Sequence, residues 1–233
     1  MSISIIIPCY NEEKSIGIVV EKIKKVIPQN NLKEIIVVNN NSTDKSAEVA
    51  KGAGAKVINE TKQGYGAALK AGFKKALGDI IVTLDADNQY PLELIPKITE
   101  YLIKNNLDFI SANRIPFSSG SQSFTRKLGN WVLTFFTNIL FGIKIKDSQS
   151  GMWIFKKSVL DKIFPKSDDM PLSEEFKILA CLHPEIKFEE YYIPYYPRIG
   201  ESKLFPFRHG LKNLLYLFQL KKKIKNDQRF KNS

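Results

Sequence analysis

The sequence predicts an α/β domain in which helices cover both faces of a mostly parallel sheet. Over the first 112 residues, apolar runs typical of buried strands alternate with segments of helical apolar spacing. Polar clusters follow several of these runs, as expected where ligands bind beyond the carboxyl ends of parallel strands. Of the 233 residues 43% are hydrophobic, which is enough for one compact domain with a core.

Five strands are predicted in this first part. Each is a short run of mainly apolar residues, as expected for strands that are buried on both faces. The predicted strands cover residues 3–7, 34–38, 56–58, 79–84 and 109–112.

Four helices are predicted between and after these strands. Their apolar residues recur at three- and four-residue intervals, and Ser42, Thr43 and Asp44 supply capping side chains for the second. Gly78 is expected to end the third helix, and Pro91 to begin the fourth. The predicted helices cover residues 12–27, 42–51, 67–77 and 92–103.

The second half of the chain is less regular. Helices are predicted at residues 124–141, 173–182 and 204–224, and strands at 153–155 and 187–193. We expect one α/β domain over residues 1–203, followed by a C-terminal amphipathic helix and basic tail over residues 204–233.

The charge of the chain is concentrated near its C-terminus. The net charge is +11, and residues 198–233 hold ten Lys or Arg against Glu201 and Asp227. Such a basic segment indicates an anionic partner: a phosphorylated substrate or an anionic membrane surface. Nucleic acid is not expected, because no recognised nucleic-acid-binding module accompanies the charge.

The location of the protein is predicted from what the sequence lacks. No apolar run reaches the roughly 20 residues of a spanning helix, and the first residues do not resemble a signal peptide. Cys9 and Cys181 do not form a disulfide framework. The expected location is cytoplasmic, peripheral on the cytosolic face of a membrane.

Two aspartates are the strongest chemical signal in the sequence. Asp85 and Asp87 follow a predicted strand directly, and Gln89 could add a carbonyl oxygen. Neighbouring carboxylates repel each other unless a proton or cation lies between them, and their hard oxygens suit Mg²⁺ or Mn²⁺ shared with substrate phosphates. The alternative is a solvated acidic turn, which the preceding buried strand makes less attractive.

An ordered set of motifs makes the sequence resemble the family 2 glycosyltransferases, which have the GT-A (Rossmann-like) fold. The motifs span residues 3 to about 212, and within the family they are most similar to the dolichyl- and polyprenyl-phosphate hexosyltransferases. They lie at residues 5–13, 37–44, 76–79, 85–91, 113–114, 126–127, 147–151 and 198–203.

The resemblance implies a donor site for a nucleotide sugar, with GDP-mannose and UDP-glucose as the first candidates. Pro8, Tyr10 and Glu12 would line the nucleoside pocket. Asn39 stands where the family usually has an acidic residue, which leaves the donor nucleotide open. Asp85, Asp87 and Gln89 would hold Mg²⁺ or Mn²⁺ on the diphosphate, and Arg198 and Lys203 would lie on a loop that closes over the phosphates.

The resemblance also implies an acceptor site for a polyprenyl phosphate and inversion at the anomeric carbon. Arg114, Arg126 and Asn130 would approach the acceptor phosphate. A lipid phosphate is already anionic near pH 7, since its second pKa is about 6, so this reaction needs no general base. Catalysis would then depend on aligning two anionic reactants within enough positive charge.

Two other functions stay open at this stage. Transfer to a saccharide hydroxyl would need a base, for which Glu174 or Glu175 is the candidate. Those two residues could instead provide negative charge in the first turn of a helix that Ser173 caps. The chain could also be an inactive nucleotide-sugar-binding membrane scaffold, with Asn39 as a sign of decay.

Two predicted helices have apolar stripes with two interpretations each. One stripe faces either the core or the lipid chain of an acceptor, and the other faces either the domain or an anionic membrane. The first consists of Phe124, Leu128, Trp131, Phe135 and Ile139, and the second of Phe207, Leu211, Leu214 or Leu215, and Phe218.

Overall fold

A computed structural model describes residues 1–118, 123–200 and 206–227, and for residues 206–208 only the backbone. Its centre is one seven-stranded sheet with the strand order β3-β2-β1-β4-β6-β5-β7. The strands are β1 Ile3–Cys9, β2 Leu32–Asn39, β3 Lys56–Asn59, β4 Ile80–Thr83, β5 Phe109–Asn113, β6 Trp153–Lys156 and β7 Phe188–Tyr192.

Eight helices accompany the sheet in the described part of the chain. A 3₁₀ turn, Leu92–Leu94, precedes the fourth of them. The helices are α1 Ile16–Val26, α2 Ser46–Gly52, α3 Tyr65–Lys75, α4 Ile95–Lys104, α5 Phe124–Phe141, α6 Val159–Lys162, α7 Leu172–Leu182 and α8 Pro206–Lys225.

The sheet is mostly parallel, as predicted, with one antiparallel strand. β6 lies between β4 and β5 and runs against both, with Ile154 opposite Val82 on one side and Ile110 on the other. The sequence predicted a strand here but not its direction. Since β4 and β5 point the same way, the residues that follow each of them reach the same edge of the sheet.

Both faces of the sheet are covered, which confirms the predicted α/β architecture. One core packs α1 and α4 on the sheet, with Ile5, Val37 and Val82 among its buried side chains. The other packs α3 and α7 on the opposite face, where Phe73, Phe155 and Phe176 meet edge-on or at a tilt. Such apolar burial on two faces is the main term that holds the strands in place.

The starts of five helices differ from the prediction, since α3 begins at Tyr65 and α4 at Ile95. α1 begins at Ile16 rather than at residue 12. α2 begins at Ser46, so Asp44 is not its N-cap but accepts a hydrogen bond from the Ser46 N–H at 2.9 Å. α7 begins at Leu172, which places Ser173 inside the helix, where its hydroxyl donates to the Ser150 carbonyl. The short helix α6 was not predicted.

α8 packs against α5 and α7. Leu217 and Leu220 are buried there against Phe141 and Ile178. The predicted domain boundary at residues 203 and 204 stays a prediction. Among the helices that the structure describes, none combines the length and apolarity needed to cross a membrane.

Candidate active site

The predicted site lies at the carboxyl edge of the sheet, where three strands are followed by residues with left-handed backbone. Asn11, Asn41 and Asn88 follow β1, β2 and β4, with φ angles of 54°, 61° and 61°. Asparagine tolerates this left-handed region better than most residues. The residues after these three strands line one cleft at this edge.

Asp85 and Asp87 lie together in this cleft, directly after β4. Burial, followed by the charge of Asp87, raises the pKa of Asp85 to about 7. Burial also raises the pKa of Asp87, against the lowering effect of the Arg198 charge. Burial therefore makes it costly to keep both carboxylates ionised, and a bound cation would offset part of that cost.

Arg198 forms an ion pair with Asp87. Its guanidinium donates to Asp87 Oδ2 at 2.9 Å and also forms an ion pair with Glu12. Two backbone bonds fix its segment to the aspartate loop: Ile199 N–H donates to the Asp87 carbonyl at 3.1 Å, and Tyr196 N–H to the Gln89 carbonyl at 2.9 Å. A predicted phosphate ligand thus contacts a predicted metal ligand.

Gln89 has a different set of partners from the predicted ones. Its side-chain Oε1 accepts a hydrogen bond from the Tyr195 hydroxyl at 3.0 Å, and its side-chain Nε2 donates one to the Tyr196 backbone carbonyl at 2.9 Å. In this structure Gln89 therefore holds the segment that carries Arg198. Its role as a metal ligand stays a prediction.

The residues predicted for the nucleoside lie at and just beyond the ends of β1 and β2. Pro8 is half-buried near the end of β1, and Tyr10 is exposed just after it. The Asn39 amide donates to Asn59 Oδ1 at 3.0 Å, and its carbonyl oxygen accepts from the Ser42 N–H at 3.2 Å. Asn39 thus supports the loop after β2, while its role towards a base stays a prediction.

Arg114 and Asn130 meet at a third carboxylate, Asp147. Arg114 donates to it from Nε at 2.7 Å and from Nη2 at 2.9 Å, and Asn130 donates from Nδ2 at 2.9 Å. Burial raises the pKa of Asp147, but the charge and hydrogen bonds of Arg114 outweigh this and hold the pKa far below its usual range. Asp147 belongs to the motif at residues 147–151, but nothing in the sequence indicated this partnership.

Arg114 is also linked to the metal side of the cleft. Its guanidinium carbon lies 4.9 Å from the centre of the Tyr195 ring, and the Tyr195 hydroxyl bonds to Gln89. Arg126, one helical turn before Asn130 on α5, is half-buried. Lys203 lies outside the described residues.

Glu174 and Glu175 are both buried at the start of α7. Glu175 accepts from the Lys166 and Ser167 N–H groups at 3.0 and 2.8 Å, so it holds a loop. Glu174 accepts from Gln149, and its Oε2 has no hydrogen-bond partner. Burial raises the pKa of Glu174 to about 8. A carboxyl group this enclosed is poorly placed to take a proton from a saccharide.

Three residues have roles in the cleft that were not predicted from the sequence. The Tyr65 hydroxyl donates to Asp85 Oδ1 at 3.3 Å. A Cβ at Gly151 would lie 2.5 Å from the Tyr65 hydroxyl and 3.2 Å from Asp85 Oδ1, so glycine keeps space beside Asp85. The fully buried Lys177 donates to the Asp147 and Ser150 carbonyls at 3.1 and 2.9 Å. A lysine within the apolar segment of α7 was the available signal.

The cleft fits a hard divalent cation that is shared with a phosphate. Asp85 and Asp87 offer carboxylate oxygens, a guanidinium already provides positive charge at Asp87, and Gly151 leaves space at Asp85. In residues 1–118, 123–200 and 206–227, no three His, Cys, Asp or Glu side chains converge as a metal site. The substrate would therefore have to supply the remaining ligands.

Comparison with protein families shows that the chain belongs to the family that its motifs resemble. The profile described as "Glycosyl transferase family 2" matches residues 4–164. A Haloferax volcanii protein named dolichyl-phosphate hexose transferase is 31% identical over 208 residues, which cover 89% of each chain. A Methanococcus voltae protein named UDP-N-acetylglucosamine–dolichyl-phosphate N-acetylglucosaminyltransferase is 35% identical over 181 residues, covering 68% of this chain and 70% of that one.

Solved structures show the same fold. Glucosyl-3-phosphoglycerate synthase from Mycobacterium tuberculosis, solved with Mn²⁺, UDP-glucose and phosphoglyceric acid, superimposes with a TM-score of 0.75. The two sequences are 19% identical, and the match covers 95% of this chain and 80% of that one. This similarity supports the architecture of the sheet and its helices.

Proposed function

Because the chain belongs to glycosyl transferase family 2, we propose that it transfers a hexose from a nucleotide sugar to a polyprenyl phosphate, with inversion. The names of the two relatives support a dolichyl-phosphate type of acceptor. The observation that carries the proposal is the joining of two half-sites at one sheet edge. Asp85, Asp87 and Arg198 form one half, and Arg114, Asp147 and Asn130 form the other.

On the donor side, Asp85 and Asp87 would hold Mg²⁺ or Mn²⁺. Such an ion, when bound, offsets the charge that develops on a diphosphate leaving group. Arg198 would contact the same diphosphate, since a guanidinium can bind two phosphate oxygens at once. Its present contacts with Asp87 and Glu12 support this role, because Asp87 is one of the two proposed metal ligands. We propose GDP-mannose and UDP-glucose as the first donors to test.

On the acceptor side, Arg114 would provide positive charge beneath the lipid phosphate. Asp147 fixes the guanidinium by two hydrogen bonds, and Asn130 shares the same carboxylate. Arg126 would approach from the turn of α5 that precedes Asn130. The acceptor phosphate is mostly a dianion above about pH 6, so its oxygen can attack without a base.

A base-dependent transfer to a saccharide hydroxyl finds less support. Glu174 is fully buried behind Gln149, and Glu175 accepts two backbone hydrogen bonds. An inactive scaffold is also disfavoured, because both predicted metal ligands are retained after β4 and Arg198 forms an ion pair with one of them, Asp87. Location at the cytosolic face of a membrane stays a proposal.

Glu174→Gln is expected to leave the rate of transfer within about twofold of wild type. Loss of a catalytic base would instead cost about 10²–10⁴-fold. The same substitution should also make the protein more stable than wild type, by a margin that grows as the pH rises from about 5 to about 8. In this window unfolded Glu174 loses its proton while folded Glu174, whose pKa is about 8, retains it, which favours unfolding of the wild type.

Initial rates and urea denaturation at both pH values check this prediction. Glu185→Gln, at an exposed carboxylate, is the matched control and should alter neither rate nor pH dependence. A rate loss of a hundredfold or more in Glu174→Gln would favour the saccharide acceptor.

A donor and acceptor panel tests the proposed function itself. Purified protein is incubated with Mn²⁺ or Mg²⁺, one nucleotide sugar and one polyprenyl phosphate, and the lipid fraction is analysed by mass spectrometry. We expect one donor to give a sugar–phospholipid product that EDTA abolishes. If calorimetry detects donor binding while no donor gives product or slow donor hydrolysis, the scaffold function replaces this one.

A further inference from the structure

α5 has its polar and apolar sides exchanged relative to an ordinary surface helix. Its buried side carries the polar Asn130, Thr134 and Thr137, which face the interior. Its outward side carries large apolar residues, among them Trp131 and Ile139, each 63% exposed. The stripe predicted from the sequence is therefore not core. Its outward residues are Phe124, Leu128, Trp131, Phe135 and Ile139.

α8 extends this apolar surface. Leu211, Leu215 and Phe218 recur at helical spacing and are all exposed. Aromatic contacts join the two stripes: Phe136 packs on Phe135 at 5.8 Å and on Phe218 at 6.4 Å between ring centres. We call this surface the α5–α8 face, made of the outward residues of both stripes. A contiguous apolar patch of this kind marks an interaction surface.

The charged residues of the two helices that form the α5–α8 face have one sign. Neither α5 nor α8 contains an Asp or Glu in its sequence. Together they contain eight Lys or Arg: Arg126, Lys127, Arg208, Lys212, Lys221, Lys222, Lys223 and Lys225. An apolar stripe edged by basic residues is the pattern of helices that lie in the headgroup region of an anionic bilayer.

We propose that the α5–α8 face docks in the plane of an anionic lipid bilayer, with its apolar side chains in the headgroup–acyl boundary. Docking through this face would bring the protein to the membrane that contains a polyprenyl phosphate acceptor, so the proposal rests on the proposed function. Asn130, on the inner side of α5, bonds to the Asp147 that holds Arg114. Docking would thus place the acceptor half-site about one helix diameter, ~10 Å, from the lipid.

Vesicle sedimentation tests the proposal without any transfer reaction. The variant Leu128→Ser/Trp131→Ser/Ile139→Ser removes three exposed side chains. The matched control, Ile18→Ser/Leu77→Ser/Ile103→Ser, removes three exposed apolar residues elsewhere. With phosphatidylcholine vesicles containing phosphatidylglycerol, the stripe variant should partition at least about tenfold less than wild type, and the control should match wild type.

Charge dependence gives a second readout. Lys221→Gln/Lys222→Gln/Lys225→Gln should weaken binding to these vesicles by up to about fivefold per lysine. Binding of wild type to pure phosphatidylcholine vesicles should be correspondingly weak. Circular dichroism and thermal unfolding should show all variants folded, because every substituted side chain is exposed.

Three results would overturn the docking proposal. Wild type could remain in the supernatant with anionic vesicles, or the stripe variant could bind as wild type does. Light scattering could show a wild-type dimer that the stripe variant loses without any vesicle binding, which would make a second copy the occupant. Failure of transfer with vesicle binding intact would contradict the proposed function alone. Turnover of a short, water-soluble prenyl phosphate should be equal in the stripe variant and wild type.

Discussion

Replacing Asp87 with alanine is expected to lower the rate of hexose transfer by about 10³-fold or more. Asp87 is one of two carboxylates proposed to hold the metal on the donor diphosphate, and it also positions Arg198 at 2.9 Å. Metal stabilisation of a developing charge is worth several kcal/mol, and each 1.36 kcal/mol is about tenfold in rate. Initial rates with saturating Mn²⁺ measure the loss.

Binding and folding readouts separate this effect from unfolding. Mn²⁺ affinity in the presence of the nucleoside diphosphate, followed by electron paramagnetic resonance, should fall with the rate. Asp161→Ala is the matched control, because this exposed aspartate lies on α6 at the opposite edge of the sheet. An Asp87→Ala protein that keeps metal-dependent turnover near wild type would contradict the proposed donor site.

Asp147→Asn is expected to destabilise the protein by about 3–5 kcal/mol. The substitution leaves the buried Arg114 guanidinium without the carboxylate that accepts its two hydrogen bonds. Removing one partner of a buried ion pair costs this much because the other charge remains unpaired. Urea denaturation measures the change. The pKa of Asp147 lies far below its usual range, so the loss should be constant from about pH 5 to about pH 8.

A double-mutant cycle tests whether this loss of stability arises from the unpaired charge of Arg114. Adding Arg114→Met to Asp147→Asn should recover part of the stability, because no buried charge then remains unpaired. Glu185→Gln is the control: Glu185 is exposed and its partner Lys162 is partly exposed, and a surface pair contributes at most about 1 kcal/mol. Equal losses for Glu185→Gln and Asp147→Asn would contradict the argument.

The fold could be predicted because the strands and helices have local signals. α5 has the predicted bounds at both ends, since apolar side chains repeat every three or four residues from Phe124 to Phe141. The direction of β6 has no local signal. It depends on where the chain re-enters the sheet after α5, and the apolar pattern of a four-residue strand does not distinguish parallel from antiparallel pairing.

The candidate site could be predicted where motifs adjoin strand ends. Asp85 and Asp87 follow β4 as expected, and their cleft contains Arg198. The partners of Arg114 and Gln89 could not be predicted, because Asp147 and Tyr195 are distant in sequence and become neighbours only by packing. Periodicity also could not tell which way the α5 stripe faces. A polar interior around Asp147 reverses the usual preference for burying apolar residues.

The contact of Arg198 with Asp87 and Glu12 has a consequence for the enzyme between turnovers. Asp87 and Glu12 are both largely buried, and they would be costly to keep ionised without a countercharge. The Arg198 guanidinium supplies part of that countercharge from within the chain. A metal ion held by Asp87 would have to displace this internal cation from the carboxylate, so the strength of the ion pair would set how readily the metal is taken up and released.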